Sequence, residues 1–156
     1  MPGPVDIRAQ AATVVTGLNA LITDGTLTRG QEFHAQDYTR AIETQPASGL
    51  ERAFSVRIED AGADSAIQSS SLFDHEADLV VEIGYERRKD GSAVEDMIGR
   101  DTMYLLDRMQ NTTNYAPATT GLVHVWQPRL AAVRDLDERR RVVECRWRVR
   151  YRVTRV

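Results

Sequence analysis

The chain has 156 residues, 42% apolar and 28% charged, a length and balance that suit one folded domain with one core and exclude a fibrous repeat or a long disordered tract. No run approaches the roughly 20 apolar residues that cross a bilayer, and the first residues lack the basic region and apolar stretch of a signal peptide, so a cytosolic site of synthesis is expected. The net charge of −3 hides a strong asymmetry. Arg139, Arg140, Arg141, Arg146, Arg148, Arg150, Arg152 and Arg155 crowd the C-terminal segment and leave the remainder acidic.

Ile7, Ala11, Val14, Val15, Leu18 and Ile22 recur at helical spacing, with Pro4 suited to a first turn and Gly25 to the left-handed residue beyond the end. From Thr26 to Leu50 the pattern weakens, and residues 26–50 read as a long irregular connection, with room for one helical turn. It leads into a first strand near residues 52–60, marked by Phe54, Val56 and Ile58. Residues 61–73 are small and polar enough for an exposed loop or arm.

A second strand follows, with Ala77, Leu79, Val81, Ile83 and Tyr85 on one face and Glu76, Asp78, Glu82 and Glu86 on the other. Ser92 and Glu95 form a capping-box signature for a second helix, whose apolar positions are Val94, Met97, Ile98, Leu105 and Met109 and whose stop is the polar run 111–114. Gly121 to Gln127 reads as a third strand, with Val123 and Val125 on one side and Leu122, His124 and Trp126 on the other. Residues 129–137 stay ambiguous between strand and helical turn.

The last strand is the plainest, since Val143, Cys145, Trp147, Val149, Tyr151 and Val153 alternate with Glu144, Arg146, Arg148, Arg150 and Arg152. At roughly 3.3 Å per residue it spans about 45 Å, longer than common strands, and is expected to outrun its own domain. The element order α-β-β-α-β-β makes this an α+β fold, a mostly antiparallel four-stranded sheet with two helices on one face. Leu79, Val81, Ile83, Trp147 and Val149 are expected to be buried beneath Val15, Leu18, Ile98 and Leu105.

Chemical motifs are sparse. The lone Cys145 has no second thiol and reads as a small buried hydrophobe. His34, His75 and His124 lack metal-ligand spacing, and Asp74, His75 and Glu76 alternate across a strand, so they do not converge. Ser69, Ser70 and Ser71 lack a nucleophile elbow, and there is no glycine-rich phosphate loop. No catalytic, cofactor or metal residues are therefore expected.

The arginine stripe has two readings. With Trp147 and Tyr151 it suggests nucleic-acid binding, but alternation puts those rings on the opposite face. Nineteen arginines against one lysine, Lys89, would also follow from a GC-rich coding sequence, which explains the residue type and not the stripe. A more economical partner is carboxylate. Arg146, Arg148, Arg150 and Arg152 are expected to meet Glu76, Asp78, Glu82 and Glu86, on the same strand pair or across a subunit interface.

The leading helix, the entry Leu50-Glu-Arg-Ala-Phe-Ser-Val56, the strand Ala77-Asp-Leu-Val-Val-Glu-Ile-Gly-Tyr85 and the closing Trp147-Arg-Val-Arg-Tyr-Arg-Val153 together resemble tail terminator and tail-completion proteins of long-tailed bacteriophages. The resemblance implies a virion structural protein of the neck, made in the bacterial host cytoplasm. In that family a ring, usually of six subunits, caps the tail tube, ends its polymerisation and faces the head connector, with DNA only as lumen content, no cofactor and no active site. Segments 26–49 and 61–73 depart from the most compact members, and a head-completion or connector protein is the nearest alternative.

Overall fold

A computed structural model describes residues 4–44, 51–60, 67–68, 72–87, 91–126 and 131–154. The expected α+β architecture is present, with antiparallel strands and its two long helices packed into one core with the sheet. No helix among the described residues is long and apolar enough to cross a membrane.

The N-terminal stripe forms α1 (Pro4–Gly17) and, after a break at Leu18, the single turn α2 (Asn19–Thr23). Gly25 takes φ +85°, the left-handed conformation that a helix exit favours and that glycine adopts without a Cβ clash. The connection that follows is irregular as far as a 3-10 turn at Ile42–Thr44, and residues 45–50 lie outside the described set. It is nonetheless anchored, because Leu27, Phe33 and Ile42 are almost fully buried.

The strands are β1 (Phe54–Asp60), β2 (Ile67–Gln68), β3 (Leu72–Glu86), β4 (Leu122–Trp126), β5 (Ala132–Asp135) and β6 (Arg140–Thr154). The main path runs β1-β3-β6-β4, with β2 added beside β3 and β5 beside β6. The expected loop at 61–73 is thus interrupted by β2, and β3 begins at Leu72. Residues 61–66 and 69–71 of that expected loop lie outside the described residues. The ambiguous stretch 129–137 resolves in part into β5.

The closing strand does not outrun its sheet. β3 is equally long at 15 residues, and the two pair from Leu72 opposite Thr154 to Glu86 opposite Arg140. Sequence alternation had marked only the later part of β3, because the earlier part carries Asp74, His75 and Glu76 in succession.

The second long helix, α3 (Gly91–Gln110), starts within one residue of the expected Ser92, which lies in its first turn. Asn111 caps the 3-10 turn that follows the helix, its side chain accepting from the Thr113 N–H. The short α4 (Pro117–Thr120) then delivers the chain to β4 through Gly121. Gly121 has φ +73°, and a Cβ there would lie 2.5 Å from the Arg152 carbonyl oxygen, so only glycine lets β4 approach β6 this closely.

β4 departs from simple alternation. A bulge between Leu122 and His124 puts one extra residue, Val123, into the strand, so that Leu122 and Val125 are both buried while Val123 is exposed. The expected sharing of one face by Val123 and Val125 is corrected accordingly.

The core is one cluster. Leu79, Val81, Ile83, Trp147 and Val149 of the sheet pack with Val15 and Leu18 of α1 and with Ile98 and Leu105 of α3, as the periodicity requires. Cys145 is buried among them, and that burial pushes its thiol up to about 12.

Candidate assembly surface

The sheet face opposite the helices carries the charged residues. In cross-strand rows, Glu76 faces Arg150, Asp78 lies between Glu59 and Arg148, Val80 between Arg57 and Arg146, and Glu82 between Ser55 and Glu144. Two of these rows oppose like with like, an arrangement that repels unless diagonal contacts offset it. They do.

Arg146 reaches Glu59 at 2.7 Å, Asp78 at 2.9 Å and Glu144 at 3.1 Å. Arg57 reaches Glu59 at 2.9 Å and Glu144 at 3.5 Å and also pairs with Glu82. Arg57, Glu59, Arg146 and Glu144 thus close a ring of ion pairs around Val80. The apolar stems of the two arginines flank Val80, which is fully buried on what alternation makes the polar face.

The ring continues along the strands. Arg148 contacts Asp78 at 2.7 Å and Arg150 contacts Glu76 at 2.7 Å. Arg134 of β5 bridges Glu43 at 2.6 Å and Glu82 at 3.3 Å. The guanidiniums of Arg146, first, and Arg57 hold the Glu59 carboxyl below its ordinary range, and Arg134 does the same for Glu43.

Of the residues singled out from sequence, Arg146, Arg148 and Arg150 therefore meet Glu76 and Asp78 within one chain. Glu82 belongs to Arg57 and Arg134 instead. Glu86 stands opposite Arg140, but Arg140 turns to Asp137 at 2.7 Å, and Arg152 is exposed opposite Asp74. Trp147 and Tyr151 lie in the core, on the face away from the arginines. His34 contacts the Glu51 carbonyl oxygen at 3.2 Å, His75 stacks on Tyr151 and His124 on Trp126, so the three histidines occupy three separate places.

A second ionic centre escaped sequence reading. Arg52 and Asp101, both fully buried, form a two-pronged pair at 2.8 and 2.9 Å, and the Tyr85 hydroxyl donates to Asp101 at 2.9 Å. Arg52 also donates to the Thr28 and Gln31 carbonyls and lies over the Phe33 ring at 5.1 Å. Its φ of 58° is unusual for a residue with a Cβ and costs roughly 1 kcal/mol or more. Burial, and secondarily the Asp101 charge, pushes the Tyr85 hydroxyl well above its ordinary range, so Tyr85 stays a donor. The centre ties the irregular connection to α3 and β3. Asp101 carried the readable signal, since it falls on the apolar stripe of α3 between Ile98 and Leu105, where a charge demands a partner.

The two outer edges of the sheet differ. Along the first half of β1, the Phe54 N–H donates to the His34 carbonyl, the Val56 N–H to the Tyr38 carbonyl, and Arg8 donates to the Val56 carbonyl at 2.7 Å. The connection thus seals that edge. On the other side β5 has only β6 as a strand neighbour among the described residues, and all four of its residues are exposed. Beside it, Ile98, Met103, Leu106, Val133 and Val143 line an apolar groove of about 490 Å³ between α3 and β5. Among the described residues no group of three or more metal-binding side chains converges. Comparison of the chain with protein-family models and with curated proteins finds no match.

Proposed function

We propose that this chain is a structural, non-catalytic subunit of a bacteriophage or phage-like neck. In this reading its copies form a ring, of six subunits in the family it resembles, that caps the tail tube, ends its polymerisation and joins it to the head connector. The observation that carries the reading is the charged sheet face, where the ionisable side chains are spent on one another along two 15-residue strands. Such a face stiffens a building block and sets strand register. The element order and the long closing strand support the same reading through the resemblance. A head-completion or connector role in the same neck uses the same features.

The nucleic-acid reading is the alternative of another class. It needs arginines free to neutralise phosphates, and here Arg146, Arg148 and Arg150 already hold carboxylates. The mass of the full chain, alone and with purified tail tubes, tests the ring. A large defined oligomer that docks on tube ends is expected, and a monomer under both conditions would overturn the reading. DNA retention lost in Arg148→Glu with Arg150→Glu, while oligomer mass stays intact, would favour the alternative.

A further inference from the structure

The cover over β1 is thin between two anchors. Phe33 and Ile42 are almost wholly buried, whereas no residue from 34 to 41 is. This stretch does not form a ladder with β1. It makes one isolated bridge, His34 to Ala53, and meets the strand again where the Val56 N–H donates to the Tyr38 carbonyl at 2.8 Å. On its other side a cleft of about 790 Å³ opens against α1, lined by Ala9, Thr13 and Thr16 of the helix and by His34, Ala35 and Tyr38. Few buried apolar contacts and sparse hydrogen bonds at the surface mark a segment that opens below the cost of global unfolding.

Arg8 spans this arrangement from α1. It donates through Nε to the Val56 carbonyl at 2.7 Å and through Nη2 to the Thr39 carbonyl at 3.2 Å, and its guanidinium carbon lies 6.0 Å from the centre of the Tyr38 ring. One side chain thus holds strand and cover together. The cover also keeps a shape of its own, since the Asp37 carboxylate accepts from the Thr39 N–H and hydroxyl, and the Arg40 N–H donates to the Asp37 carbonyl. We propose that residues 34–41 are a releasable strap over the β1 edge, hinged near Phe33 and Ile42 and latched by Arg8.

Opening of the strap frees the Phe54 and Val56 N–H groups, which point away from β3, and leaves the sheet whole. The Arg52 centre stays in place, because its guanidinium holds the earlier carbonyls of Thr28 and Gln31. Access to the β1 edge is then set by a guanidinium on α1 and not by the stability of the core. The device stands whether or not copies of the chain form a ring.

Native-state amide exchange on the full chain tests this, because β1 carries its own control. The Phe54 and Val56 amides face the strap, while Ser55 and Arg57, each one residue on, turn theirs to β3. Phe54 and Val56 should exchange at least about tenfold faster than Ser55 and Arg57, since only the second pair waits for the sheet to open. In Arg8→Ala, a substitution that suits a helix, the first pair should quicken about tenfold again while the second pair is unmoved. A common rate for all four amides in the unmodified chain overturns the strap. A gap that Arg8→Ala leaves unchanged, or a variant that quickens all four alike, overturns the latch.

Discussion

Arg52 and Asp101 are both wholly excluded from solvent, whereas Arg146 and its three carboxylates keep between 19% and 45% of their side chains exposed. The pairing chemistry is the same and the consequences differ. In the interior each charge is expensive to desolvate, and the pair persists because it is well answered: two prongs between the charges, a tyrosine donor, and two backbone carbonyls for the guanidinium Nη1 group. On the sheet face desolvation is partial and solvent screens each contact, so the lattice gains by number and by choosing register. A lone centre cannot lose a member cheaply. A lattice can.

The sharpest way to break this contrast is Asp101→Ala, which strands Arg52 in the core. A loss of about 3–5 kcal/mol is expected by chemical denaturation, with part of it recovered when Arg52 is also replaced by Met. A loss below about 1 kcal/mol would mean that water reaches the centre. Tyr85→Phe is gentler, because the Asp101 oxygen it leaves still accepts from Arg52. Removing that donor should cost about 1–2 kcal/mol, read by the same denaturation curves.

The smallest effect belongs to Arg146→Ala, at about 1 kcal/mol although it severs three contacts, and the difference from the unmodified chain should shrink in high salt. Acid should shrink it too. The Arg146 and Arg57 guanidiniums hold Glu59 below its ordinary value of 4.5, so the stabilisation is full above about that pH and is lost as pH falls through the lower folded-state value. Thermal melts of both chains between neutral and acid pH check this, and a gap that widens in acid would contradict the assignment.

Much of this could be read in advance. The two faces of β3 and β6 followed from strict alternation, and the core partners on α1 and α3 from helical spacing, because a buried face imposes a local period. The lattice partners were readable only as a class. Which carboxylate each arginine takes depends on register and on β1, and Arg57, Glu59 and Glu144 could not be assigned from the last two strands alone. The Arg52 centre joins residues 49 apart in the chain, so no local period announced it beyond a charge misplaced on the stripe of α3. The bulge in β4 broke the one rule on which its faces were read.

The covering of β1 by the connection has a consequence for crowded solutions. A sheet with two bare edges can add copies on both sides without limit and grow into fibres. Here a copy arriving at β1 finds the outward groups of Phe54 and Val56 already taken, and must first peel away a connection anchored by Phe33 and Arg52. The connection is therefore a stop against strand addition along the first half of β1. Loosening the connection would remove that stop, and aggregation would begin before the core itself unfolds.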